Sequence, residues 1–369
     1  MSSTIRRIAI CTGGGDAPGL NAVIHAAVHA ACGLGWEIVG IREGYDGLME
    51  PQNYPTGGLI PLSPDSVRNI AHLGGTILGT TNRGNPFKHR ISQPDGSLKE
   101  MDRSDELVAR FRDQKFDALI SVGGDGSLGI ANQLAEKGLA VMGVPKTIDN
   151  DLEATTLTFG FDSAVSFATE CIDRLHSTAE SHRRIIVVEV MGRYAGWIAL
   201  HSGIAGRADA ILIPELPYDI EKVGQHVKRK STGTRQYSIV VVAEGAKPRG
   251  GGVTVKAASE AGRAERLGGI GETVAAQLQQ LTGKESRAVV LGHLLRGGSP
   301  TSLDRLLGLN FGAAAVRGLA EGKSGVMVAL NPPLTHYVPL KKAVEKLKLV
   351  PPNGSGVITA RALDICFGD

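Results

Sequence analysis

Two short aliphatic runs each close on a cluster of glycines that leads into a helical pattern. The first spans 5–11, then Gly13-Gly14-Gly15, then a helical pattern over 20–32. The second spans 118–122, then Gly123-Gly124-Asp125-Gly126, then a helical pattern over 128–137. Runs this short between turn signals suit buried strands better than helices. The alternation continues along the chain. Further strands are expected at 37–41, 140–144, 185–190, 237–243, 288–291 and 325–330. Helices are expected at 163–178, 220–230, 271–281 and 302–319, with short ones at 340–347 and 360–367. Strands alternating with helices imply an α/β fold whose parallel sheets are covered on both faces. Ligands of such sheets sit at the carboxyl ends of the strands. Two stretches break the rhythm. The polar 83–104 stretch holds two prolines and reads as an extended loop, and 247–269 reads as a mobile excursion.

Glycine supplies 49 of the 369 residues, near twice the usual ~7% share. No G-X-Y period accompanies it, so collagen is excluded, and a hydrophobic share of 42% excludes a disordered chain. Aromatics are only 4%, so the core must be aliphatic. The net charge of +3 comes with no concentrated basic stripe, which argues against nucleic acid as partner. The densest run, Lys228-Arg229-Lys230, reads as a solvated helix end. No apolar run reaches the ~20 residues of a membrane span. The four cysteines are scattered and form no C-x-x-C pair, which argues against zinc and for a reducing compartment. No signal-peptide pattern opens the sequence, so the protein is expected in the cytoplasm.

Five constellations carry chemistry. In Thr12-Gly13-Gly14-Gly15-Asp16-Ala17-Pro18-Gly19-Leu20-Asn21, backbone N–H groups can face a phosphate. The spacing is one residue too long for a dinucleotide fingerprint, and no Gly-Lys-Ser/Thr follows as in a P-loop. A plain strand–helix turn is the alternative. In Ser121-Val122-Gly123-Gly124-Asp125-Gly126-Ser127, Asp125 is placed to hold Mg²⁺ on phosphates, or else to cap a helix. In Pro145-Lys146-Thr147-Ile148-Asp149-Asn150-Asp151, a carboxylate can take the proton of an acceptor hydroxyl during phosphoryl transfer; an Asx-rich turn is the alternative. In Val188-Glu189-Val190-Met191-Gly192-Arg193-Tyr194-Ala195-Gly196, Arg193 sits between glycines at a strand end, where its fork can reach phosphate. Arg287 with Gly292-His293-Leu294-Leu295-Arg296-Gly297-Gly298 places one histidine and two arginines around another strand end.

Taken in order, the five motifs resemble the phosphofructokinase family over nearly the whole chain. The resemblance implies two Rossmann-like three-layer domains with mainly parallel sheets and an active site in the cleft between them. Residues 1–160 with about 294–345 would bind the donor, about 161–293 the sugar phosphate, and 346–369 would form a C-terminal helical segment. The implied reaction moves a phosphoryl group onto the 1-hydroxyl of fructose 6-phosphate. Asp149 would be the base and Asp151 would help hold metal and donor geometry. Thr147 and Arg193 would steady the transferring group. Gly15, Arg83 and the loop of Gly124, Asp125, Gly126 and Ser127 would hold the donor, with Mg²⁺ at Asp125. Met191, Gly192, Glu244, His293 and Arg296 would contact the sugar. Arg184 and Arg287 match the pair that clasps the sugar phosphate from a neighbouring subunit, which implies a homo-oligomer, dimer or tetramer.

The resemblance leaves the donor to be decided by two positions. Gly126 leaves space for a nucleotide α-phosphate, as in the family's ATP enzymes. Lys146 is typical of its diphosphate branch. Gly126 removes a steric and charge block, whereas a lysine can swing aside, so ATP is the expected donor and diphosphate the alternative. For the donor-phosphate arginine, Asn82 and Arg83 compete, and only Arg83 supplies charge. His25, His29 and His176 stand where regulated bacterial members place effector-binding arginines. Neutral imidazole is a poor phosphate clamp, so that kind of control is not expected. A silent sugar-phosphate sensor would require a missing base or metal ligand, yet Asp125, Asp149 and Asp151 are present.

Overall fold

The computed structural model describes residues 5–92, 98–231, 235–257 and 266–369. The chain forms two compact units. One gathers Met1–Thr147, Leu152–Gly160 and Arg296–Leu347; the other gathers Ile148–Asp151, Phe161–Leu295 and Lys348–Asp369.

The first unit begins with β1 (Arg7–Thr12), α1 (Leu20–Gly33), β2 (Glu37–Ile41), α2 (Asp46–Met49) and β3 (Leu59–Leu62). It continues through β4 (His89–Ser92), β5 (Leu98–Met101), α3 (Ser104–Asp113), β6 (Ala118–Gly123), α4 (Asp125–Glu136) and β7 (Val141–Pro145). The second unit holds α5 (Phe161–His182), β8 (Ile185–Val190), α6 (Trp197–Ala205), β9 (Ala210–Leu212), α7 (Ile220–Lys230) and β10 (Ser238–Ala243). The strands β11 (Val255–Ala257) and β12 (Arg266–Leu267), then α8 (Ile270–Thr282) and β13 (Ser286–Val290), complete its central run. The chain returns to the first unit with α9 (Ser302–Ala320), β14 (Val326–Asn331), β15 (Leu334–Pro339) and α10 (Leu340–Ala343). It ends in the second with α11 (Ser355–Ala362).

The larger sheet runs β15-β14-β7-β6-β1-β2-β3. Its inner five strands are parallel, and β3 and β15 close the edges antiparallel. Alternate side chains of β1 feed two cores. Ile8 and Ile10 pack with Val23 and Ala27 of α1 and Phe311 and Ala315 of α9. Ala9 and Cys11 face Leu107 and Phe111 of α3 and Leu128 and Leu134 of α4. Burial on both faces explains why the strand reads as an unbroken aliphatic run; each large side chain so buried contributes about 1.5–3 kcal/mol. The smaller sheet, β13-β8-β10-β9, is wholly parallel. One face packs Val187, Val240 and Val242 on Val223 and Val227 of α7 and Val274 and Leu278 of α8. On the other, Gly203 of α6 lies against Ile211 and Val241. Asp219 caps α7, accepting from Glu221 N at 3.0 Å. The basic run Lys228–Lys230 closes that helix, where it complements the macrodipole, and Arg229 and Lys230 both pair with Asp364 at 2.8 Å.

Several expectations require correction. The 83–104 stretch is not only loop: β4 and β5 pair there as an antiparallel hairpin. Within 247–269, β11 and β12 pair, and 258–265 lie outside the described residues. Helix 340–347 stops at Ala343, because Leu347 turns to bridge Leu152 in extended form. Helix 360–367 is displaced to Ser355–Ala362, and Cys366 bridges Ala210 at the edge of the smaller sheet. Strands β3, β9 and β15 and helices α2, α3 and α6 add to the expected set.

Candidate active site

In the first unit, three chemistry-bearing loops follow three neighbouring strands, β1, β6 and β7. They interlock through backbone and small side chains. Gly13 N donates to Val122 O at 2.9 Å, and Lys146 N to Gly123 O at 2.9 Å. A Cβ on Gly123 would lie 2.3 Å from Ser127 Cβ, and one on Gly13 2.8 Å from Ser127 Oγ. No side chain fits at Gly123, which is the physical reason for glycine there, and one at Gly13 would require the Ser127 hydroxyl to turn away. Gly124 sits against Lys146 O, where a Cβ would be 3.3 Å away. The segment after Gly79 joins the first loop: Gly14 N donates to Thr81 O at 3.0 Å and Thr80 Oγ1 to Gly14 O at 2.6 Å. Asn82 and Arg83 follow at once, both exposed.

Charge collects at this place. Lys146 is buried, and its ammonium donates to Gly15 O. Arg296 Nη1 donates to Asp16 O at 3.0 Å and lies so close to Gly15 that a Cβ there would be 2.7 Å away. Asp125 is the first residue of α4, with Gly124 as its N-cap and no side-chain cap. The capping alternative for Asp125 is therefore corrected: its carboxylate stands exposed beside the helix N-terminus. Around Gly126 a Cβ would meet nothing within 4 Å. A cavity of about 260 Å³ opens there, lined by Asp125, Gly126 and Gly129 on one side and by Leu152, Val344 and Leu347 on the other.

In the second unit, a different cluster forms at the carboxyl ends of β8, β10 and β13, with β8 between the other two. Met191, Gly192 and Arg193 follow β8, Glu244 follows β10, and exposed His293 follows β13. The first two loops touch: Gly245 N donates to Gly192 O at 3.1 Å, and a Cβ on Gly245 would fall 2.0 Å from Arg193 O. The Arg193 guanidinium lies over the Tyr194 ring at 5.2 Å. Asp149 is half-buried in this unit, and Asp151 is buried. Between them Asn150 takes a left-handed φ of 49°. Glu189, inside the Met191 motif, is structural. It is buried and accepts from Gly269 N at 3.1 Å and Gly271 N at 2.8 Å, capping α8.

Arg184 and Arg287 do not join that cluster. Arg184 precedes β8, and Arg287 pairs with Ile186 near the start of β8. Both therefore stand at the amino end of the sheet, so Arg287 and His293 lie at opposite ends of β13 rather than around one strand end. They share one carboxylate: Arg184 reaches Glu285 at 3.3 Å and Arg287 reaches it at 2.6 Å. His176 is buried, with Nε2 2.7 Å from Gly206 O and its ring edge-on to Tyr237. His25 Nδ1 lies 2.8 Å from Val67 O, and the His29 ring is 4.5 Å from that of His25.

Sequence reasoning missed Trp197, Glu215 and Lys348. Lys348 Nζ donates to Asn150 Oδ1 at 2.9 Å, a contact across 198 positions that no local motif announces.

The model of the family described as "Phosphofructokinase" matches residues 7–319. An ATP-dependent 6-phosphofructokinase of Chloroflexus aurantiacus is 50% identical over all of this chain and 99% of its own. A pyrophosphate–fructose 6-phosphate 1-phosphotransferase of Amycolatopsis methanolica is 49% identical over 94% of this chain and 96% of its own. Among solved structures, the pyrophosphate-dependent phosphofructokinase of Marinobacter aquaeolei superposes with a TM-score of 0.78 at 21% identity, covering 95% of this chain and 88% of that one. With these likenesses and the five ordered motifs, the chain belongs to the phosphofructokinase family.

Proposed function

We propose that this chain transfers the terminal phosphoryl group of ATP to the 1-hydroxyl of fructose 6-phosphate, giving fructose 1,6-bisphosphate and ADP. Overall likeness does not choose the donor, since relatives named for ATP and for pyrophosphate lie at 50% and 49% identity. The observation that carries ATP is the open space at Gly126 beside a cavity of about 260 Å³. A nucleotide can extend past this glycine. Lys146 does not fill that space, because its ammonium is held on Gly15 O.

On this reading the donor phosphates lie on Gly15, Gly124 and Ser127, with Arg83 from the adjoining segment. Lys146 adds positive charge to the same turn. Mg²⁺ fits the exposed Asp125 carboxylate, because that ion takes one or two carboxylates and completes its shell with water and substrate phosphate. It supplies neutralisation of the donor's charge when bound. Asp149 takes the hydroxyl proton, Asp151 supports the metal and donor geometry, and Thr147 and Arg193 steady the transferring group. Met191, Gly192, Glu244, His293 and Arg296 orient the sugar. Arg184 and Arg287 stand at the far end of their own sheet, so they serve the site of another copy in a homo-oligomer. The cysteines form no disulfide, which fits a reducing cytoplasm. Steady-state rates test the reading: turnover with Mg-ATP is expected well above turnover with Mg-diphosphate. The reverse preference would overturn ATP as the donor.

A further inference from the structure

We propose that Lys348 is a positioning residue for phosphoryl transfer, acting through a strap that ties the Asp149 loop to the Arg193 loop. The inference rests on the reading that those two loops carry the chemistry. Residues 348–350 reach both. Lys348 N donates to Asp151 O at 2.8 Å, and its Nζ donates to Asn150 Oδ1 at 2.9 Å. Its carbonyl accepts from Trp197 Nε1 at 2.8 Å. Two residues on, Val350 N donates to Glu215 Oε1 at 2.9 Å. The same carboxylate accepts from Gly196 N, at 3.0 Å to Oε1 and 3.2 Å to Oε2. Gly196 and Trp197 directly follow the Met191–Ala195 stretch.

The loop needs such a strap. Asn150 sits between Asp149 and Asp151 in a left-handed backbone conformation, which asparagine adopts more readily than most residues but still at a cost that surrounding contacts must offset. Lys348 binds the Asn150 side chain and the Asp151 carbonyl together. It thereby fixes the direction of the Asp149 carboxylate. On the other side, Glu215 joins the strap to the start of α6, just beyond Arg193. A loosened strap would leave both loops folded but less well aimed. Misplacement of about 1 Å can cost ~10²-fold in rate.

The test is a double-mutant cycle with Lys348→Met and Asn150→Gly in the full-length enzyme. Glycine keeps the left-handed backbone while removing the Nζ contact. Each single variant is expected to lose about 10- to 100-fold in kcat, with KM for either substrate and the melting temperature held. The double variant should be no worse than the poorer single one, and Lys348→Arg should restore part of the rate. In a Trp36→Phe background, Trp197 is the sole tryptophan, and Lys348→Met should shift its emission. Wild-type kcat in Lys348→Met would overturn the proposal. So would losses that add in the double variant, or losses that track a falling melting temperature without rescue by arginine. If Lys348→Met does not fold, Asn150→Gly with wild-type kcat is sufficient to overturn it. Asp149→Asn, assayed alongside, separates the two ideas. Retained turnover there would refute Asp149 as base, whereas its loss beside a wild-type Lys348→Met refutes only the strap.

Discussion

At the scale of one residue, Gly126 and Gly123 show two different reasons for glycine in a single loop. Gly123 is glycine because Ser127 occupies the place of a side chain. Gly126 has no such neighbour, so the fold itself tolerates a larger residue there. Gly126→Asp should therefore fold with an unchanged melting temperature, since an acidic residue in the first turn suits the helix dipole. Its kcat/KM for ATP should fall about tenfold or more, because like charges set side by side cost several kcal/mol. Unchanged ATP kinetics would refute the account of that space. Glu215 gives a second residue-scale expectation. Burial pushes its carboxyl above the usual value of 4.5, and the N–H groups of Val350 and Gly196 only partly offset this. The native state therefore holds the proton more tightly than the unfolded chain does. That contribution is complete below pH 4.5 and is lost as pH rises through the raised native value. Glu215→Gln keeps an acceptor for both N–H groups but cannot titrate. Its melting temperature relative to the parent should rise between mildly acidic and neutral pH; parallel curves would refute the shift.

At the scale of elements, helices α1 and α9 pack closely because α9 presents glycine to the backbone of α1. A Cβ on Gly312 would fall 2.3 Å from Val23 O, and one on Gly308 2.9 Å from Gly19 O. Gly312→Ala should cost about 1–3 kcal/mol by forcing the helices apart. Gly33→Ala, at the open end of α1, should be neutral or slightly stabilising. Urea midpoints of the two variants check this. The same scale shows what the sequence could and could not disclose. Strands such as β8 and β10, buried on both faces, read as aliphatic runs, broken in β8 only by Glu189, and were legible almost to the residue. The hairpin of β4 and β5 was not, because its described side chains are largely polar and it belongs to neither main sheet. Helix 360–367 was misplaced for a long-range reason: Ile365 and Phe367 are buried in extended alternation while Cys366 pairs with Ala210. The candidate site followed the same rule. Loops on strand ends announced themselves by glycine and aspartate, whereas Lys348 and Glu215 act through contacts that no local spacing encodes.

At the scale of the whole molecule, the two ends of the β8 sheet raise the question of how many chains build one site. Arg193 lies beyond the carboxyl end of β8 and Arg184 before its amino end, with six strand residues between them. At about 3.3 Å per residue, that is roughly 20 Å of strand, too far for both side chains to grip one sugar phosphate. Either the amino-end arginines have no catalytic part, or a second copy brings them to the acceptor. Glu285 holds both guanidinium groups at one spot, so the pair is presented as a unit, and each fork is able to grip a phosphate bidentately. The shared-site alternative makes a quantitative forecast. Asp149→Asn subunits lack the base but keep the arginines; Arg184→Ala/Arg287→Ala subunits lack the arginines but keep the base. Each homo-oligomer should be nearly inactive at low fructose 6-phosphate. Mixed by co-expression, half the pairs of a random dimer population are hybrid, and one of the two sites in each hybrid is intact. The mixture should therefore regain about a quarter of wild-type turnover. Sites built from a single chain would regain none, because every site would then carry one lesion or the other.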